Sequence, residues 1–246
     1  MRKLPSKGPI PDCLRNFCRE NPGCKDWDSF RDNNPDSYRE LKRAIFTQQS
    51  FLCSYCEENL PEDDSSKQRI EHFHPKSDQT AENNWTFDWN NMLGVCLGGS
   101  REHPIELHCD ASKERNVTTD TCEGFMLNPL NMPEECLFMV DRSTGKLLAD
   151  ENICLRTTVA NNHFSTVREL VDNTIKILNL NCDRLNKKRK KVIAEYEKMR
   201  KDLRLKHFKG SIRTEIARRW FEHNIPSFFT TRRFLLGQFA EQFIGN

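Results

Sequence analysis

The first fifty residues pass from a polar, irregular stretch into a helical pattern. Residues 1–34 are rich in Pro, Asn and Asp, and they predict an irregular arm with one short helix. The Ser-x-x-Glu sequence at Ser37 has the form of a capping box, which predicts that a helix starts there. Apolar residues at helical spacing carry this helix to the neighbourhood of Phe51. We therefore expect residues 1–51 to form an N-terminal arm and helix.

Short apolar runs replace the helical pattern between residues 52 and 128. Residues 69–73 and 92–97 have strand-like length and composition, and they predict two strands. A helix is expected to begin at Cys109 or Asp110. The order strand, strand, helix in so short a segment predicts a small α+β unit over residues 52–128.

The last segment, residues 129–246, is mainly helical after one hairpin. Two apolar runs on either side of a Gly-containing loop at 141–145 predict the hairpin. A second capping box at Thr166 opens one helix, and a heptad-like apolar stripe over 185–203 predicts another. One or two further helices are expected in 211–246. The whole chain is thus expected to be α+β, with helical regions at its two ends.

The composition argues against a membrane protein and against an exported one. The chain is 36% hydrophobic and 30% charged, with a mean hydropathy of −0.77. It has no run of about 18 apolar residues, and its beginning has no apolar signal-peptide core. We expect a cytoplasmic protein without a membrane partner. In a reducing cytosol, its eleven cysteines fit metal binding better than disulfides.

The net charge of +2 conceals an uneven distribution of charge. Residues 180–246 carry 17 Lys and Arg against 7 Asp and Glu, a net +10, so residues 1–179 carry −8. Eleven of the cations lie within 184–206. Clustered cations favour contact with nucleic-acid phosphates. The same residues could instead form the solvated face of an amphipathic helix.

One group of cysteines has the spacing of a metal site. Its members are Cys53, Cys56, Cys96 and Cys109. The first two form a C-x-x-C turn, and the other two lie at the edges of predicted elements. Four thiolates are a typical closed, tetrahedral ligand set for structural Zn²⁺. His108 or His103 could replace one of the thiolates.

A histidine motif lies between the two pairs of cysteines. It reads Arg-Ile-Glu-His-Phe-His-Pro and ends at Pro75; Asn91, Cys96 and a Cys-Asp-x-x-Lys sequence at 109–113 follow it. The arrangement resembles the HNH, or ββα-metal, nucleases. Their pattern is C-x-x-C, then D-H-x-x-P, an Asn near a third Cys, and C-H-x-x-K. The resemblance implies a zinc-stapled ββα-metal core that hydrolyses phosphodiester bonds.

The resemblance also implies a role for each residue of the motif. His72 would be the general base, because imidazole titrates near neutral pH. Glu71 and Asp110 would hold a catalytic Mg²⁺ or Mn²⁺, since hard carboxylates suit these cations. Asn91 would hold His72 in place, and Lys113 would pair with a phosphate.

Two positions depart from the family pattern, and two residues offer alternatives. Glu71 stands where the family usually has Asp, and Asp110 replaces the final His. A carboxylate at the second position favours Mg²⁺ over a transition-metal ion. Glu114, one helical turn after Asp110, is a candidate further ligand. His74 is the alternative general base.

The likeness extends beyond the motif to one subfamily. The segments that carry it include MRKL, FLCSYCE, LNPLN and TIKILNLNCDRLNKKR. They resemble the HNH component of the Septu anti-phage system, which also occurs with some retrons. The resemblance implies an SMC- or ABC-like ATPase partner and a nucleic-acid substrate, either DNA or an RNA such as tRNA. A retron reverse transcriptase with its DNA is a further candidate partner.

Two other functions fit the same sequence. One is a non-catalytic zinc module that binds nucleic acid or a protein partner. The other is a toxin-like nuclease that acts alone.

Overall fold

The computed structural model describes residues 1–78, 83–99, 102–117 and 122–244. Within these ranges the chain forms ten α-helices, three short 3₁₀ helices and four strands. The helices are α1 (Asp12–Glu20), α2 (Trp27–Asn33), α3 (Pro35–Gln48), α4 (Asp110–Asn116), α5 (Glu151–Arg156), α6 (Val167–Ile177), α7 (Asp183–Leu205), α8 (Ile212–Phe221), α9 (Phe229–Leu236) and α10 (Gln238–Glu241). The strands are β1 (Gln68–His72), β2 (Met92–Cys96), β3 (Phe138–Val140) and β4 (Leu147–Ala149). This mixture confirms the expected α+β class. None of the described helices has the length and apolar character needed to span a bilayer.

The strands β1 and β2 pair antiparallel, and α4 follows them along the chain. The register places Gln68 opposite Cys96 and His72 opposite Met92. All three elements lie where the sequence predicts them, to within one or two residues. Because Glu71 and His72 are consecutive, their side chains leave β1 on opposite faces. Both side chains are buried.

The end of α3 packs directly on β2 at Gly94. A Cβ atom at this position would come within 2.9 Å of the side chains of Phe46 and Gln49. Gln49 Nε2 donates to the Gly94 carbonyl at 2.8 Å, and the Gly94 N–H donates to Gln49 Oε1 at 2.8 Å. Glycine at this position therefore allows α3 to approach close enough to bind both polar groups of the strand.

The N-terminal arm is more regular than the sequence predicts. Residues 1–34 contain two helices, α1 and α2, where one short helix in an irregular arm was expected. Leu14, Trp27 and Phe30 are buried and pack with residues of β1 and β2. The expectation was wrong because these helices have seven to nine residues, too few to display a helical period.

The helix α3 begins two residues earlier than expected. It starts at Pro35, and Asn34 precedes it, so Ser37 lies inside the first turn and is not the cap. Proline is favoured at the first helical position because its fixed φ suits a helix and its missing N–H would be unbonded there anyway. This preference outweighs the Ser-x-x-Glu signal. The six-residue helix α5 was not expected at all.

The C-terminal elements agree with the sequence pattern, except that the described part of residues 211–246 contains three helices, α8, α9 and α10, where one or two were expected. The strands β3 and β4 form the expected hairpin. Thr166 Oγ1 accepts from the Glu169 N–H, and Glu169 Oε2 accepts from the Thr166 N–H, each at 3.1 Å. These reciprocal bonds are the capping box that the sequence predicts at the start of α6.

Candidate metal sites

The four cysteines that the sequence selects meet in one buried cluster. All four sulfur atoms lie within 4.8 Å of one another. Two Sγ–Sγ distances, Cys53 to Cys109 and Cys56 to Cys96, are 3.8 Å. A tetrahedron with metal–sulfur bonds of about 2.3 Å has edges of about 3.8 Å, so the spacing fits a tetrahedral Zn²⁺. The cluster could therefore hold zinc, with its ligands coming from the turn after α3, the end of β2 and the residue before α4.

His108 lies beside this cluster. Its side chain is fully buried, with Nε2 3.6 Å from Cys96 Sγ and Nδ1 2.9 Å from the Glu106 carbonyl. Burial opposes protonation, but hydrogen bonds to Cys182 and Cys96 raise the pKa of His108 to about 10. His108 also belongs to an overlapping group of potential ligands with Cys56, Glu58 and Cys96. The other alternative, His103, belongs to neither group of potential ligands found in the described part of the chain.

The first turns of α7 dock against the same cluster. Glu58, two residues after Cys56, pairs with Arg184 at 2.6 Å and with Lys188. Arg189 is buried, and its guanidinium donates to the Leu180 carbonyl at 2.6 Å. Three cations of the basic run in the sequence, Arg184, Lys188 and Arg189, therefore make contacts within the protein. The exposed members of this part of α7 are Lys187, Lys190 and Lys191.

Glu71 and Asp110 face each other between β1 and α4. Glu71 pairs with the ammonium of Lys113, and Asp110 Oδ2 lies 2.9 Å from Arg69 Nη1. All of these side chains except Arg69 are buried. Glu114 is exposed, lies 3.8 Å from Arg69, and forms no three-carboxylate group with the other two within the described ranges.

The pKa values of the two carboxyl groups shift in opposite directions. Burial raises the pKa of Glu71 well above its usual range, and the neighbouring Asp110 adds to this shift against the pull of Lys113. Burial also acts to raise the pKa of Asp110, but hydrogen bonds with Glu71 and Arg69 outweigh it and lower that pKa. The two carboxyl groups lie against each other between β1 and α4, and carboxylate oxygens suit a hard divalent cation.

His72 lies on the other face of β1, beneath the N-terminal arm. Its Nε2 is 2.9 Å from the Thr86 carbonyl, and its ring meets Trp27 edge-on at 4.6 Å. Because a carbonyl can only accept, Nε2 carries the proton, and Nδ1 keeps its lone pair in the neutral ring. Burial lowers the pKa of His72 to about 4, so the ring is neutral at pH 7. The geometry gives His72 a fixed tautomer with one basic nitrogen.

Asn91 anchors the loop that follows β1, but through a different residue from the one expected. Its side chain accepts from the His74 N–H at 2.7 Å and donates to the carbonyls of His74 at 3.0 Å and Trp85 at 2.8 Å. The expectation that Asn91 binds His72 was therefore wrong. The backbone turns after β1 and brings residue 74, not residue 72, to the Asn91 amide. Asn91 can position His72 only through this loop.

The alternative base, His74, is held by two carboxylates. Its Nδ1 lies 3.0 Å from Glu123 and its Nε2 lies 3.0 Å from Asp78, while its ring stacks on Trp85 at 4.1 Å. Both ring nitrogens are engaged, so neither offers a free lone pair to a water molecule. This geometry favours His72 over His74 as a general base.

We expect Asn91→Ala to destabilise the loop after β1. Three hydrogen bonds would be lost, and each buried partner left unsatisfied costs about 1–3 kcal/mol. The expected result is a lower unfolding midpoint and faster amide exchange at Phe73 and His74, measured by hydrogen exchange. Asn90→Ala is the control, since the side chain of Asn90 is exposed. Equal exchange in both variants would contradict this assignment.

No protein-family profile matches the chain. A curated protein of Escherichia coli, named "Retron Ec83 putative HNH endonuclease", is 33% identical to it over 233 residues. The similarity covers 89% of this chain and 88% of that protein. It therefore extends over nearly the full length of both chains and is not confined to the cysteine and histidine motifs.

Proposed function

The chain belongs to the HNH endonuclease family, and from this premise we propose that it hydrolyses nucleic-acid phosphodiester bonds at Glu71, His72 and Asp110. One observation carries the proposal. At the end of β1, a neutral histidine with a fixed tautomer directly follows Glu71, whose carboxyl group lies against that of Asp110 at the start of α4. A general base and a cation site are the two functions that this hydrolysis requires.

In this proposal the residues have two separate roles, proton transfer and cation binding. His72 Nδ1 accepts the proton of the attacking water, while the Thr86 carbonyl keeps the ring in the required tautomer. Glu71 and Asp110 would hold Mg²⁺ or Mn²⁺, and their adjacent oxygens fit that role. When bound, the cation would neutralise charge on the phosphate and on the departing 3′ oxygen.

The proposed architecture assigns a separate role to the cysteine cluster. Zn²⁺ bound by Cys53, Cys56, Cys96 and Cys109 would be structural, because all four tetrahedral positions are filled by the protein. It would join β2, α4 and the turn after α3 into a ββα-metal core over residues 52–128. Residues 1–51 would form the arm that covers His72. Residues 129–246 would dock a partner or nucleic acid.

The biological setting is also part of the proposal. The similar protein is named as a retron component, which supports a role as the effector nuclease of an anti-phage system. An SMC- or ABC-like ATPase would be the partner, and a retron reverse transcriptase with its DNA a further one. We expect the isolated chain to be nearly inactive, because −8 of net charge over residues 1–179 repels a polyanion.

Cleavage by the complete complex tests the proposed function. The complex, purified from its native operon, is incubated with single-stranded DNA, duplex DNA or tRNA in Mg²⁺, in Mn²⁺ or in EDTA. We expect cleavage that EDTA abolishes and that leaves 5′-phosphate and 3′-hydroxyl ends, because water attacks and the 3′ oxygen departs. Cyclic phosphate ends would contradict the mechanism. Absence of cleavage in every metal would favour the non-catalytic zinc module, and strong cleavage by the isolated chain would favour the toxin-like nuclease.

The exposed face of α7 gives a separate prediction about affinity. Reversing Lys187, Lys190 and Lys191 to Glu should weaken nucleic-acid binding more at low salt than at high salt. Each phosphate contact contributes about 0.7–0.9 to the slope of log K against log salt, so losing three should flatten it by roughly two to three. Lys188 is left unchanged because it pairs with Glu58.

A control of equal charge separates local contact from net charge. It reverses three exposed cations of the N-terminal arm: Arg19, Lys25 and Arg39. Binding is measured by fluorescence anisotropy over a range of salt concentrations. If the two triple variants lose affinity equally, α7 does not contact nucleic acid.

A further inference from the structure

Lys113 is buried at the centre of the carboxylate site. It lies on α4, only 6% exposed, and its Nζ meets three acceptors. These are the Glu71 carboxylate, the His72 carbonyl at 2.8 Å and the Phe73 carbonyl at 2.8 Å. An ammonium group has three donors, so in this arrangement none is left for a phosphate.

The charges around Lys113 balance without any other ion. Glu71 and Asp110 bring two negative charges when ionised, and Arg69 and Lys113 bring two positive charges. Two adjacent buried carboxylates repel each other unless cations compensate their charges. A divalent cation that enters this balanced group meets a repelling ammonium on the very carboxylate that it would bind.

We propose that Lys113 is an internal counter-cation of the metal site. It neutralises Glu71 and Asp110 and holds the carbonyls at the end of β1 when the site carries no divalent cation. It competes with a divalent cation for Glu71, so it lowers the affinity of the site. This inference rests on the proposed function only in taking Glu71 and Asp110 as the cation site. Lys113 is thus a positioning residue for His72 and Glu71.

The substitution Lys113→Met tests the proposal because it removes the charge and retains an unbranched apolar side chain. Two opposite effects are expected. The metal-free variant should unfold at a lower temperature than the wild type, because Glu71 and Asp110 lose their counter-charge. The same variant should bind Mn²⁺ about tenfold more tightly or better, because the competing charge is gone.

The measurements use the full chain and do not depend on cleavage. Free Mn²⁺ is followed by electron paramagnetic resonance, and unfolding by scanning fluorimetry in EDTA. A merely structural lysine would weaken Mn²⁺ binding when replaced, so the direction of the change separates the two roles. Lys25→Met serves as the exposed-lysine control.

A double substitution keeps the test decisive if Lys113→Met alone folds poorly. Glu71→Gln removes the partner charge, so the pair Lys113→Met with Glu71→Gln should recover much of the stability lost in EDTA. Unchanged or weaker Mn²⁺ binding by folded Lys113→Met, or no recovery in the pair, would overturn the proposal. If Glu71→Gln binds Mn²⁺ as the wild type does, the proposed cation site is wrong. The recovery in EDTA then still decides whether Lys113 is the counter-charge of Glu71.

Discussion

Replacing His72 with alanine is expected to slow cleavage by about 10²–10⁴-fold, the usual contribution of a general base. The overall fold and the cysteine cluster should be retained, at a stability cost of about 1–3 kcal/mol for the buried Thr86 carbonyl that loses its partner. The rate is measured in single turnover with the complete complex. Circular dichroism and zinc content establish that the variant is folded.

The matched control for this prediction is His74→Ala, two residues along the chain. His74 is held by Asp78 and Glu123, so its loss should alter stability more than chemistry. Fast cleavage by His72→Ala together with an inactive, folded His74→Ala would reverse the assignment of the base. Equal and small losses in both variants would place the base elsewhere.

Replacing Cys56 with serine is expected to release the zinc and unfold the region around it. A structural zinc site contributes about 10–16 kcal/mol to folding, which is comparable to the whole stability of a typical domain. The end of β2, the start of α4 and the docked turn of α7 all meet at this cluster, so they should become susceptible to protease together. Zinc is measured by mass spectrometry, and the protected fragments by limited proteolysis.

A second cysteine supplies the control for the zinc prediction. Cys24 is half-buried in the arm and lies outside both groups of potential metal ligands. Cys24→Ser should retain one zinc per chain and the proteolytic pattern of the wild type. Full zinc content and normal protection in Cys56→Ser would contradict a structural role for the cluster.

The parts of the site that the sequence predicts are those with local signals. Patterns within a few neighbouring residues predict three of its features: the C-x-x-C turn, the strand at 69–73 and the start of a helix at Asp110. The capping box predicted at Thr166 is confirmed, because Glu169 lies three residues later on the same helical turn. The capping box predicted at Ser37 was wrong, because the helix begins two residues earlier, at Pro35.

The parts that the sequence does not predict depend on contacts between distant segments. The Thr86 carbonyl and Trp27 reach His72 from a loop and from α2, and no spacing links them. Lys113 was expected to bind phosphate, as an exposed lysine would, whereas the fold buries it on Glu71. The basic run of α7 likewise divides into docked and exposed cations only once Glu58 is placed against it.

We propose that this chain holds a structural zinc and a separate catalytic divalent cation. Anomalous diffraction tests it directly, with crystals soaked in excess Mn²⁺ and data collected at the zinc and manganese absorption edges. We predict a zinc peak at the four cysteines and a manganese peak between the carboxylates of Glu71 and Asp110. No manganese peak between those carboxylates, or a zinc peak there with none at the cysteines, would contradict the account.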